Sequence, residues 1–160
     1  MGVWRGDLSA ALLRYLRPKR LHLVDPWRFM PDKPKAIYGG REATSQADMD
    51  AIYEQVLEHF EDERRQGRAV VHRQTSVDAA PAIADGSLDW VYVDGDHTYD
   101  AVRNDLAAWA PKLKPGGLMT GDDYGSYGWW EGGVQRAVDE FVAARRPEVL
   151  LLTSHFALRL

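Results

Sequence analysis

The chain contains no cysteine, which excludes disulfide bonds, thiolate metal sites and cysteine nucleophiles. It also lacks any run of about 20 apolar residues, the length that a membrane-spanning helix needs. Its 20 Lys and Arg residues are outnumbered by 24 Asp and Glu residues, so the charge gives no general case for binding nucleic acid. The N-terminal residues do not follow the order of a secretory signal peptide. We therefore expect a cytoplasmic protein whose partner is a small molecule, not a nucleic acid or a membrane.

Two phosphate-binding motifs are also missing, the dinucleotide fingerprint G-x-G-x-x-G and the Walker P-loop. The chain instead has Gly2 and Gly6 in a predicted strand-to-helix turn, about 20 residues before Asp25. A carboxylate at that distance can accept hydrogen bonds from the hydroxyl groups of a ribose. An ordinary turn explains the glycines equally well, and a turn cap in "DPW" explains Asp25 equally well. A cofactor with a ribose but no pyrophosphate fits this pattern best.

Strands and helices alternate along the chain, which indicates one α/β domain over residues 1–160. The predicted class is a Rossmann-like, mostly parallel sheet with helices on both faces and a C-terminal antiparallel hairpin. Residues 27–44 hold prolines and paired glycines and are predicted to form a long, lid-like loop. The hydrophobic pattern predicts helices at 7–17, at 46–65, near 77–84, after Asp100 and from Val134. It predicts strands at 20–26, 68–74 and 88–94, and a further strand in "LMTGDDY".

Carboxylates follow three of these strands, where ligands bind in parallel sheets. Asp25 ends one strand, Asp94 ends "LDWVYVD", and Asp122 and Asp123 end "LMTGDD". Asp94, Asp122 and Asp123 would repel one another at one edge unless they were protonated, solvated or bound to a cation such as Mg²⁺. Helix caps or solvated turn residues are the alternative. We favour a metal site for the set of three.

His97 lies three residues after Asp94 and is a candidate general base for a substrate hydroxyl. A loop-capping histidine is the alternative. Asp96 and Asp100 fit the start of a helix better than a ligand set. The other four histidines fall in predicted strands or helices, where a structural role is expected. Trp129 and Trp130 either cover a substrate pocket or pack in the core. These other histidines are His22, His59, His72 and His155.

The order of these features resembles the class I S-adenosylmethionine-dependent methyltransferases. The stretches "LHLVDPW", "WVYVDGDHTYDAVRNDLAAWAPKLKPGGLMTGDDY" and "GVQRAVDEF" are similar to the family-24 type, and to metal-dependent sugar O-methyltransferases of macrolide biosynthesis. More distantly, they resemble catechol O-methyltransferase. The resemblance covers nearly the whole chain, and the series "VDGDHxY … KLKPGG … DDY" is its most specific part.

The resemblance implies a role for each matching residue. The methionine end of S-adenosylmethionine would contact Gly2, Trp4, Gly6 and Ser9. Its ribose would contact Asp25, and its adenine would contact Ser76 and Val77. Asp94 would be a further cofactor contact. Magnesium would be bound by Asp94, Asp122 and Asp123, and His97 would be the base. The implied reaction is methyl transfer to a hydroxyl group of a small molecule, a sugar or a natural product.

The family's first strand normally begins several residues earlier, so we expect a sheet whose first strand is truncated. A second copy of the chain would support such an incomplete sheet, which makes a homodimer an expectation. A shortened fold leaves open a second reading, a non-catalytic or partner-dependent binding domain. A nicotinamide-dependent oxidoreductase is weaker, because G-x-G-x-x-G is missing and the three carboxylates would be unexplained.

Overall fold

Six helices and six strands form the computed structural model, which describes residues 1–160. Three short 3₁₀ turns, Ile37–Gly39, Ala80–Ala82 and Ala110–Lys112, complete the regular structure. The helices are α1 Asp7–Tyr15, α2 Gln46–His59, α3 Glu61–Arg65, α4 Ser76–Ala79, α5 Tyr99–Trp109 and α6 Gly133–Arg145. The strands are β1 Leu21–Asp25, β2 Ala69–Arg73, β3 Leu88–Val93, β4 Leu113–Gly121, β5 Glu148–Leu152 and β6 Phe156–Arg159. None of these helices is long and apolar enough to cross a membrane.

The chain divides into two compact units, Gly2–Thr75 and Ser76–Leu160 together with Met1. In the first unit, β1 and β2 form a two-stranded parallel sheet that pairs Leu21 with Ala69 and Asp25 with Arg73. The apolar stripe predicted for α2 packs against this sheet's side chains and Trp27 in one core cluster. Ser45 caps α2 by accepting a hydrogen bond from the N–H of Asp48.

The second unit holds a four-stranded sheet in the order β3-β4-β6-β5. β3 and β4 are parallel, while β6 is antiparallel to both β4 and β5. The predicted α/β class and the C-terminal antiparallel hairpin are therefore confirmed. The hairpin joins the sheet because β6 pairs with β4, matching Gly121 with Phe156 and Leu118 with Arg159.

The strands do not form the one continuous sheet that the sequence predicts. β1 pairs only with β2, so Asp25 ends a strand of one sheet while Asp94 and Asp123 follow strands of another. Residues 1–6 contain no strand, so β2 is the one strand that pairs with β1. The prediction that three strands of one sheet carry these carboxylates to one edge is therefore wrong for Asp25.

Two helix predictions also need correction at their ends. The helix expected over residues 7–17 ends at Tyr15, before Pro18. The helix expected over residues 46–65 is interrupted at Phe60, whose backbone leaves the helical region with φ −103° and ψ 20°. Phe60 is almost fully buried and fits the apolar stripe, so the hydrophobic spacing does not reveal the break.

Candidate functional site

Two aspartates and a histidine meet beyond the carboxyl ends of β3 and β4. Nε2 of His97 lies 3.3 Å from Oδ1 of Asp94, and its Nδ1 lies 3.4 Å from Oδ2 of Asp123. Their ligand-type atoms all lie within 4.8 Å of one another. The parallel register matches Val93 with Gly121, so both following loops begin at the same edge of the sheet. We call these three residues the Asp94–His97–Asp123 cluster.

Neighbouring carboxylates favour the charged form of the histidine in this cluster. Burial by itself lowers the pKa of His97, but the hydrogen bond with Asp94 and the charges of Asp123, Asp94 and Asp96 outweigh burial and raise it. Trp130 packs edge-on against the imidazole, with ring centroids 4.9 Å apart. A protonated His97 therefore compensates the repulsion between the two carboxylates.

Asp122, the third predicted metal ligand, faces different partners. Its Oδ1 accepts a 2.8 Å hydrogen bond from the N–H of Asp123 and lies 3.2 Å from Nε2 of His155. Mg²⁺ prefers oxygen ligands and keeps several waters. The carboxylates of Asp94 and Asp123 supply two such oxygens close together, so these donors fit a divalent cation. A ligand role for Asp122 stays a prediction.

Two residues of this region are not found by reading the sequence. The sequence predicts His155 inside a strand, but it lies in the exposed turn between β5 and β6. Burial, and then the charges of Asp94, Asp122 and Asp123, raise the pKa of Tyr92 to about 12. Tyr92 precedes Asp94 by two residues, so the alternation along a strand could have placed both on one side. For His155 the sequence carries no comparable signal.

In the first unit, the buried carboxylate of Asp25 accepts four hydrogen bonds. Oδ2 accepts from the N–H groups of Val3 and Trp4 at 2.9 and 3.0 Å, and from the hydroxyl of Tyr38 at 2.6 Å. Oδ1 accepts from the N–H of Trp27 at 2.8 Å. A carboxylate has about four acceptor positions. About two of these positions lie on each oxygen, so Oδ2 with its three donors has none left, and the side chain is only 1% exposed. As it stands, this closed arrangement does not fit the predicted ribose contact.

The residues predicted to line the methionine end of the cofactor form a tight turn before α1. Gly2 donates a 3.0 Å hydrogen bond to the carbonyl of Val24, and Trp4 has a left-handed backbone with φ 53°. Gly6 is the N-cap residue of α1, and Ser9 is buried in the helix. The hydrogen bonds from this turn to Asp25 explain its shape without a ligand. Cofactor contacts of these residues stay predictions.

Ser76 and Val77, predicted beside the adenine, begin α4. Oγ of Ser76 accepts a 2.8 Å hydrogen bond from Nε1 of Trp109, and the hydroxyl also bonds the buried carboxyl group of Asp105. The side chain of Val77 is exposed. The serine is thus part of the packing around α5, and an adenine contact stays a prediction for both residues.

A family model described as "Methyltransferase domain", the family-24 type, matches residues 1–124. This chain belongs to that family. The methyltransferase domain is also 34% identical over 92 residues to the uncharacterized protein y4gI of Sinorhizobium fredii, strain NBRC 101917 / NGR234. That match covers 58% of this chain and 9% of the relative, so the domain spans less than a tenth of the curated protein that it matches.

Solved structures of methyltransferases share the fold of this methyltransferase domain. The O-methyltransferase NovP superposes with a TM-score of 0.66 at 21% identity, over 99% of this chain and 69% of NovP. CalS11, a TDP-rhamnose 3'-O-methyltransferase of calicheamicin biosynthesis, superposes in its apo form with a TM-score of 0.63 at 19% identity, over the same shares of the two chains. At these identities the likeness establishes the class I methyltransferase fold.

Proposed function

We propose that this domain is an S-adenosylmethionine-dependent O-methyltransferase that uses Mg²⁺ and acts on a hydroxyl group of a small molecule. The observation that carries the proposal is His97 held between Asp94 and Asp123 beyond two parallel strands. Membership in a methyltransferase family and the fold shared with NovP and CalS11 support it. CalS11 is described as acting on a nucleotide-linked sugar, which supports a sugar or natural product as acceptor.

His97 would accept the proton of the acceptor hydroxyl. Its raised pKa depends on the negative charges of Asp94 and Asp123, so it becomes a neutral base once those charges are compensated. A divalent cation held by the two carboxylates would supply that compensation and increase the acidity of the hydroxyl. The cofactor would supply the methyl group. The protein's own contribution is to orient the hydroxyl toward His97 and to stabilise the developing oxyanion.

The activity, substrates and partners of the whole protein are part of this proposal, because the domain covers only 9% of its curated relative. A second candidate function is a non-catalytic or partner-dependent binding domain with the methyltransferase fold. The buried carboxylate of Asp25 favours that candidate, because Oδ2 already accepts three hydrogen bonds and has no position left for a cofactor hydroxyl. Binding and turnover measurements distinguish the two functions.

A screen for methyl transfer tests the proposal. Labelled S-adenosylmethionine is incubated with nucleotide-linked sugars and hydroxylated natural products, with Mg²⁺ or with a chelator. We expect transfer that requires Mg²⁺ and falls about 100-fold or more in His97→Gln, since general-base catalysis contributes roughly that factor. Asp94→Asn should lose the dependence on Mg²⁺ together with most of the activity.

Asp89→Asn is the matched control for the aspartate variant. Asp89 is exposed on β3, the strand that Asp94 follows, and pairs with Lys114. Its replacement should therefore leave methyl transfer unchanged. Transfer that is indifferent to chelator would remove the metal from the proposal and retain the methyltransferase. Cofactor binding without transfer to any acceptor class would instead support the binding domain.

A further inference from the structure

The four hydrogen bonds on Asp25 differ in how easily they can be replaced. Three come from backbone N–H groups, those of Val3, Trp4 and Trp27. Losing any of these would leave a buried N–H unpaired and open the turn, which is costly. The fourth comes from the side chain of Tyr38, whose hydroxyl can leave while the backbone around Asp25 stays in place.

Tyr38 lies in the 3₁₀ turn Ile37–Gly39 of the segment predicted as a lid-like loop. Its ring packs on Trp4 with centroids 5.1 Å apart at an angle of 30°. Its carbonyl accepts a hydrogen bond from the N–H of Met30, so Tyr38 is anchored within its own segment. The contact with Asp25 thus joins residues 13 positions apart through one side chain.

A tyrosine hydroxyl and a ribose hydroxyl are the same kind of donor to a carboxylate. The Tyr38–Asp25 distance of 2.6 Å is typical of an O–H group bonded to a charged oxygen. We propose that the hydroxyl of Tyr38 occupies the acceptor position on Asp25 that a cofactor ribose needs, and that the two compete for it. This inference rests on the proposed function, because it takes a ribose-containing cofactor as the ligand.

Competition makes Tyr38 a determinant of cofactor affinity. The apparent dissociation constant equals the intrinsic constant divided by the fraction of molecules in which the tyrosine has left Asp25. Tyr38→Phe keeps the ring on Trp4 but removes the competing donor. We expect it to bind cofactor about tenfold more tightly, equivalent to about 1.4 kcal/mol.

Calorimetry with S-adenosylhomocysteine, which transfers no methyl group, tests the inference. The wild type and Tyr38→Phe are titrated with Tyr15→Phe as the matched control, because Tyr15 is exposed at the end of α1. The total tryptophan fluorescence gives a second readout, because Trp4 packs against Tyr38. A tenfold lower dissociation constant in Tyr38→Phe alone supports competition, whereas an equal or higher constant overturns it.

A second ligand pair separates competition from loosening of the loop. 5′-Methylthioadenosine and its 2′,3′-dideoxy analogue differ only in the ribose hydroxyls. Tyr38→Phe should bind the hydroxylated ligand more tightly than the wild type does, and should show no gain for the dideoxy analogue. Equal gains for both ligands would overturn the inference. Binding by the wild type without any gain leaves the proposed function intact, whereas no binding by either protein overturns both.

Discussion

A single glycine at the start of α1 shows how a predicted ligand contact can have a packing reason. Gly6 has φ 88°, and a Cβ added there would lie 2.7 Å from Cε2 of the buried Phe60. A side chain would therefore meet both backbone strain and an aromatic ring. The glycine is explained by the α1 cap and by Phe60, whatever the cofactor does.

Replacement of Gly6 by alanine should destabilise the fold by about 1–3 kcal/mol, because a clash adds to the strain of a left-handed backbone. Gly67→Ala is the matched control, since Gly67 has φ 70° and no neighbour within 4 Å of its added Cβ. Denaturant unfolding of both variants measures the difference. Equal losses for the two would show that Phe60 contributes nothing.

Asp105 is a buried carboxyl group whose ionisation opposes folding. Burial raises its pKa to about 6, although the hydrogen bond with Ser76 and the charge of the N-terminus act in the other direction. The folded state therefore keeps the proton to a higher pH than the unfolded state. The free energy of unfolding should fall by roughly 3 kcal/mol as the pH rises from about 4 to about 6.

Asp105→Asn should remove this loss, because an amide does not ionise. Relative to the wild type, the free energy of unfolding of Asp105→Asn should increase by roughly 3 kcal/mol between pH 4 and pH 7. Denaturant unfolding at several pH values measures it, with Asp89→Asn as an exposed control. A constant difference across this range would contradict the raised pKa.

At the scale of elements, β5 is an edge strand that carries an unbroken apolar run. Val149, Leu150, Leu151 and Leu152 are each between 37% and 43% exposed, and β5 pairs only with β6. Natural proteins protect such edges with charges, prolines or bulges. Glu148 is the one charged residue of β5, and it is paired with Arg159.

Leu150→Lys should therefore reduce aggregation of the protein without lowering its stability, since Leu150 is 42% exposed. Light scattering during storage at high concentration measures the first effect, and unfolding measures the second. Leu8→Lys is the matched control, because Leu8 is 45% exposed but lies on the helix α1 and not on the edge of a sheet. The same gain in both variants would show that added charge, not the edge, is responsible.

At the scale of the whole molecule, an ion that binds only the folded state stabilises it. If Mg²⁺ binds through Asp94 and Asp123, a concentration 100-fold above the dissociation constant should add about 2.7 kcal/mol. The melting temperature should then rise by about 5–10 °C with Mg²⁺ in the wild type and not in Asp123→Asn. An equal rise in both proteins would show that the ion binds elsewhere. A homodimer and a cytoplasmic location stay predictions at this scale.

The site at β3 and β4 could be predicted in part because it depends on local order. Asp94 and Asp123 each follow a strand that the sequence indicates, and parallel pairing brings them together. The pairing of Asp122 with His155 could not be predicted, because His155 lies in a turn far along the chain. The metal role assigned to Asp122 stays a prediction. Tyr38 could not be identified either, since a hydrogen bond across a loop leaves no periodic trace.

Local sequence patterns predict most of the helices and strands, the α/β class, the C-terminal hairpin and the acidic residues that follow strands. These follow from hydrophobic spacing, turn residues and caps, all of which act over a few neighbouring positions. Packing between distant segments separates the strands into two sheets, places His97 between Asp94 and Asp123, and brings four donors to Asp25. Those outcomes depend on contacts between residues that are far apart in the sequence, and short-range patterns carry no information about such contacts.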